Sequence, residues 1–169
     1  MRFEKVSFEQ FAADMEKWMP EMSWEMHEVY YDSVKLPKRQ TKGSAGYDIV
    51  SPMRLILEPG QQAVIPSGIR AVFSDEELET WHLEVFIRSS LAIKRGLNII
   101  NQVEIIDADY FQGENGGDIL LALKNTNRKI IDIEPGERIC QGIFKIHGLT
   151  SDDDAEGHRS GGVGSTGKQ

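Results

Sequence analysis

The end of the chain carries Gly161-Gly162-Val163-Gly164-Ser165-Thr166-Gly167, a run of small residues with two hydroxyls and with Arg159 close before it. Bare backbone amides and hydroxyls hold phosphate oxygens, so one chemistry open to this run is to order over a ligand's phosphates. The other reading is a mobile terminus, because glycine loses more conformational freedom on ordering than any other residue. Composition alone favours the mobile terminus. Further up, Ile106-Asp107-Ala108-Asp109 sets two carboxylates close together, which by itself is ordinary turn chemistry.

The charge balance limits what such groups could serve. With 27 acidic residues against 19 Lys and Arg, the formal net charge is −8. An acidic surface of this kind repels a nucleic-acid backbone at long range, so DNA or RNA is not an expected partner. An anionic small molecule remains open, because a few local cations, backbone amides and a metal ion reverse the field in one pocket. A phosphate site here must gather its arginines against the overall trend.

The elements that would position these groups follow from pattern. A chain of 169 residues, 40% hydrophobic and 27% charged, suits one soluble domain with a real core. No apolar stretch approaches the roughly 20 residues that cross a bilayer, and the acidic start is unlike a secretion signal. The one cysteine, Cys140, has no internal partner for a disulfide. A cytoplasmic protein is expected.

Residues 1–28 read as a helical extension. Ser7 and Gln10 form a capping-box pattern, Val6 and Phe11 a hydrophobic staple. Phe8, Phe11, Ala12, Met15 and Trp18 or Met19 then recur at helical spacing up to Pro20. That stripe packs either on the protein's own body or, less expectedly, on a protein partner or a membrane surface; Glu9, Asp14 and Glu16 argue against the membrane. Residues 29–150 read as short strands and turns. Leu83, Val85 and Ile87 alternate with His82, Glu84, Phe86 and Arg88, while Ile119 to Leu123 is a continuous apolar run suited to a strand covered on both faces. Turns fall at Glu58-Pro59-Gly60, Pro66-Ser67-Gly68, Gly113 to Gly117 and Glu134-Pro135-Gly136. Ser74 and Glu77 suggest a short capped helix over residues 75–80. The pattern is all-β, a sandwich, jelly roll or barrel. Residues 151–169 form an acidic, glycine-rich arm.

Five motifs occur in order: Ala45-Gly46-Tyr47-Asp48; Arg88-Ser89-Ser90-Leu91-Ala92; Asn101 through Ile106-Asp107-Ala108-Asp109-Tyr110; Gly136-Glu137-Arg138-Ile139-Cys140-Gln141; and Arg159 with Gly161 to Gly167. Each alone is a weak match, but five in register resemble the signature motifs of the trimeric dUTPase family, from about Val29 to Gln169. The resemblance implies a dUTPase-like distorted jelly roll or barrel with an added N-terminal helix. It also implies a homotrimer whose active sites are shared between subunits, and hydrolysis of dUTP to dUMP and pyrophosphate with magnesium. By the same resemblance Asp107 activates the water that attacks the α-phosphorus. Tyr110 packs under the deoxyribose, Asn101 pairs with the uracil edge, and the backbone up to Ile106 completes a hairpin that reads the base. Arg88, Ser89, Ser90 and Gln141 contact the phosphates, Arg138 is structural, and Asp48 helps hold hydrated magnesium through water. Arg159, Gly162, Val163, Gly164, Ser165 and Thr166 form the closing tail.

Three departures from the family pattern stand out. Val163 occupies the tail position that is usually aromatic, with Phe111 as a candidate substitute. The spacing from Arg159 to the glycines is short, which makes His158 a rival for the arginine's role. Glu104 stands where the base-reading hairpin often has glycine. They leave two alternatives: a related dCTP deaminase or a bifunctional enzyme, and a nucleotide-binding regulatory protein using the N-terminal helix for a partner.

Overall fold

Short aliphatic and β-branched runs, broken by Pro-Gly and Gly-Gly turns, fold as antiparallel strands. The computed structural model describes residues 1–157, Arg159 and Gly161. It begins with strand β1 (Arg2–Lys5) and two helices, α1 (Phe8–Trp18) and α2 (Trp24–Ser33). Strands β2 (Tyr47–Val50), β3 (Leu55–Leu57), β4 (Gln62–Pro66), β5 (Ile69–Val72) and β6 (Trp81–Ile87) follow. A short helix α3 (Ser89–Arg95) precedes β7 (Leu97–Ile99) and β8 (Glu104–Asp107), and a 3-10 turn covers Tyr110–Gln112. The chain ends in β9 (Leu120–Asn125), β10 (Ile131–Ile133) and β11 (Arg138–Ile146).

The order β2-β11-β6-β8 makes one sheet and β4-β9-β7 another, with β1-β5 and β10-β3 as two-stranded ribbons. All of these pairs are antiparallel. Inward-facing Leu83 and Val85 of β6 meet Leu97, Leu121, Leu123 and Ile133 in one core, each fully buried. The alternation expected along β6 and the covered run of β9 are both present.

Helix α1 starts as its sequence dictates. The Ser7 hydroxyl accepts a hydrogen bond from the Gln10 amide, and Val6 and Phe11 are buried on either side of the cap. Only half of the capping box forms, because the Gln10 side chain donates instead to Asp14 Oδ2 at 2.9 Å. The α1 stripe of Phe11, Ala12 and Met15 is buried against the protein's own body. Two features had no sequence signal. β1 enters the body by pairing with β5, its terminal amine held by Glu77. The helical segment continues through α2 to Ser33, which leaves Trp24 and Val29 half exposed.

Two expectations need correction. Residues 75–80 form turns rather than a capped helix: Glu77 does reach back to the Ser74 amide, but its carboxylate also binds the terminal amine. Residues 101–107 do not form a hairpin of their own. β7 pairs with β9 and β8 with β6, so residues 100–103 cross between two sheets, with Gln102 at φ 69°.

Gly68 pins the helices to the strands. Its φ of +71° is left-handed, and a Cβ there would lie 2.5 Å from Val34 Cγ2. Gly68→Ala is therefore expected to cost about 2–4 kcal/mol in urea unfolding, from backbone strain plus overpacking; a loss below about 0.5 kcal/mol would show that the packing can yield.

Candidate active site

One set of polar groups gathers where β6 ends. Arg88 caps the start of α3, so Ser89 and Ser90 lie in its exposed first turn, where helical amides have no internal partner. Arg88 Nε sits 3.2 Å from Asp48 Oδ1, and Arg138 holds Asp48 Oδ2 at 3.0 Å. Gln141 on β11 stands directly opposite Asp48 on β2. Gly46 lies close beside it: a Cβ there would fall 2.6 Å from Gln141 Oε1, so the end of that side chain would have to move.

A second set lies at the other end of the same sheet. Asp107 closes β8 opposite His82 of β6 and is exposed on a cleft of about 790 Å³ that also includes Asp109, Gln112, His147 and Arg159. Arg159 donates through Nε to Asp109 Oδ1 at 2.8 Å and through a second nitrogen to Asp107 Oδ2. Its guanidinium also lies 5.6 Å from the centre of the Tyr110 ring. Ile106 is buried beneath the strand. Asn101 is exposed, and its amide donates to Glu104 Oε2 at 2.6 Å; burial pushes the Glu104 carboxyl up, partly offset by that bond.

The two sets do not meet within one chain. From His82 to Arg88 an extended strand covers about 20 Å, and among the described residues no ion pair or hydrogen bond joins them. Tyr110 is locked from behind. Its hydroxyl donates to the Asp118 carbonyl at 3.2 Å and accepts from Asn115 Nδ2 at 2.7 Å, and burial holds its pKa up at about 12. Asp118 is fully buried; Oδ1 accepts from Ser67 Oγ and the Gly68 amide, while Oδ2 has no partner.

The dUTPase family model matches residues 32–167. The chain belongs to the dUTPase family. A deoxyuridine 5'-triphosphate nucleotidohydrolase of Lactococcus lactis is 36% identical over 137 residues, covering 79% of this chain and 89% of that protein. One of Escherichia coli is 33% identical, over 79% and 88% of the two chains. Among solved structures, the dUTPase from Streptococcus mutans superposes with a TM-score of 0.66 at 30% identity, covering 89% of this chain and 99% of that one. The Staphylococcus aureus phage phi11 dUTPase, at 20% identity, TM-score 0.61 and 76% and 94% coverage, shares the fold. This dUTPase thus has the all-β dUTPase fold, with α1 and α2 in its N-terminal segment.

Of the residues singled out in the sequence, Asp48, Arg88, Ser89, Ser90 and Gln141 fall in the first set, and Asp107, Tyr110 and Arg159 in the second, with Ile106 and Asn101 on the strand and crossing beside it. His158 and Gly162, Val163, Gly164, Ser165 and Thr166 lie outside the described residues. Phe111, the expected stand-in for the tail aromatic, packs against the core and against Gly117 instead of lining the cleft. Sequence reasoning missed Asn115, which read only as a turn residue, and Asp118, and it gave Arg138 no partner.

Asp118 has a consequence for stability. Loss of solvation, then the nearby Asp14 charge, raise its pKa well above the ordinary 3.8. A raised carboxyl binds its proton more tightly when folded, so it favours the fold at low pH and that advantage fades as pH climbs above 3.8 through the raised value. Asp118→Asn cannot ionise. Urea unfolding at about pH 5 and about pH 8 is expected to show a smaller decline in the variant than in the parent; equal declines would mean that Asp118 does not titrate in this way.

Proposed function

We infer that this dUTPase splits dUTP into dUMP and pyrophosphate, with Asp107 as the group that takes a proton from the attacking water. The carrying observation is that Asp107 stands exposed at a cleft edge next to Tyr110 and Arg159, in a chain of this family. Water oxygen bonds to the α-phosphorus, the bond to the bridging oxygen of the β-phosphate breaks, and pyrophosphate leaves. Arg159 lies beside Asp107 and could turn to the phosphates, while the Tyr110 ring lies under the sugar. Groups around Asn101 and Ile106 read uracil, where cytosine would leave buried polar groups unpaired.

The separation of about 20 Å along β6 supports an active site shared between copies, as in the homotrimer that the family resemblance implies, because Arg88, Ser89 and Gln141 then serve a triphosphate held against Asp107 of another copy. Ser165 and Thr166 of the tail, outside the described residues, are proposed phosphate contacts. The cytoplasm is the proposed compartment; no helix among the described residues is long and apolar enough to cross a membrane, and Cys140 is free and buried.

Magnesium fits this site only as an ion carried largely by the substrate. Asp48 already binds two arginines, and among the described residues no three carboxylate, histidine or cysteine side chains gather into a cage. Such an ion, when bound, would supply positive charge against the phosphates, and Asp48 would hold it through water.

Incubation with dUTP, dCTP and dTTP plus magnesium, with products resolved by chromatography, is expected to give dUMP and pyrophosphate from dUTP alone. Ammonia from dCTP would point to a deaminase, and no turnover would point to a binding protein. Asp107→Asn should lower kcat by at least about 100-fold while leaving dUTP binding intact; a variant within a few-fold of the parent would remove Asp107 from the chemistry. Excess EDTA should cut turnover about 10-fold or more, and full activity in EDTA would exclude the ion's role.

A further inference from the structure

The helical extension and the loop before β9 meet directly behind Tyr110. Gly116 and Gly117 both have left-handed backbones, at φ +59° and +78°. A Cβ on Gly117 would lie 2.4 Å from the Phe111 Cα, so the loop rests on the backbone of the turn that presents Tyr110. A Cβ on Gly116 would lie 3.2 Å from Gln10 Cγ, so the other side of the loop rests on α1. Gln10 is itself steadied by its bond to Asp14, which α1 buries at the same contact. At the centre, Asn115 shares its amide between the Tyr110 hydroxyl and the Asp118 carbonyl, and its side-chain oxygen accepts from the Gly117 amide. Asp118 ties the loop to the Ser67-Gly68 turn, whose carbonyl in turn accepts from the Val6 amide at the entry to α1.

Packing and hydrogen bonds thus run without a gap from α1 through the loop to the phenol oxygen. A ring held at both its hydroxyl and its backbone has no free direction in which to retreat, and interiors of this density pass displacement on rather than absorbing it. Admitting a 2′-hydroxyl under the sugar would need such a retreat.

We propose that α1 and the loop 113–118 form a brace that sets the depth of Tyr110 in the sugar pocket, with Asn115 as the positioning residue, so that the N-terminal extension helps this enzyme reject ribonucleotides. The proposal rests on reading Tyr110 as the residue beneath the deoxyribose. Asn115 acts through Tyr110 and touches no reacting atom.

Steady-state hydrolysis of dUTP and UTP by the full chain tests it. Asn115→Ala is expected to lower the ratio of kcat/KM for dUTP over UTP about 10-fold, through a lower KM for UTP, with kcat for dUTP nearly unchanged. Gln10→Ala, remote from the cleft, should lower the same ratio about 3-fold. Tyr110→Phe should match Asn115→Ala, and the double variant should be no worse than either single one. Unchanged discrimination in Asn115→Ala, in a parent that does hydrolyse dUTP, overturns the proposal and leaves the function standing. A shift in Asn115→Ala without one in Gln10→Ala removes α1 from the brace. If Asn115→Ala does not fold, Gln10→Ala and Tyr110→Phe decide it. A parent that hydrolyses no dUTP overturns both readings.

Discussion

Strand β6 is paired along both edges, by β11 on one side and β8 on the other, and its two ends cannot be drawn together without breaking that sheet. Nearly everything chemical in the molecule is placed by it. Asp107 takes its position from the β8 register opposite His82, and Tyr110 follows three residues later. Arg88 is the residue at which β6 gives way to α3. Gln141 and Asp48 are set by the pairing of β11 with β6 and β2. A rigid spacer of about 20 Å therefore stands between Asp107 and the arginines gathered at Asp48.

The acidic composition then becomes easier to understand. Every arginine of the two sets is held by a carboxylate: Arg88 and Arg138 by Asp48, Arg159 by Asp107 and Asp109. These pairs are partly exposed, so each contributes little to stability. Their value lies in orientation, because a guanidinium parked on an acid is already extended and aimed when a phosphate arrives. The net charge of −8 and the local cations coexist because Arg88, Arg138 and Arg159 each sit against a carboxylate.

What could be read from the sequence was whatever depends on near neighbours. The Ser7 cap, the alternation of Leu83 and Val85, and the covered run of β9 rest on local spacing, and they appear as read. The pairing of β1 with β5 and the crossing at 100–103 depend on distant partners, so the same residues are compatible with either outcome. Glu77 shows the difference well: its link to Ser74 was legible, its link to the terminal amine was not. For the site, resemblance supplied the residues and geometry supplied their grouping. Asn115 was hidden because Asn-Gly-Gly is ordinary turn chemistry, and nothing in that spelling says that the amide turns back to a phenol.

The contact of Arg159 with Asp107 and Asp109 also sorts ligands by charge. Whatever enters the cleft must offer that guanidinium more than the two carboxylates it gives up. A triphosphate crowds several negative oxygens into a short span and can meet the demand. A monophosphate has far fewer to offer. On the proposed role of Arg159, the resting ion pair competes with a bound phosphate for the same cation and would favour release of the nucleoside monophosphate.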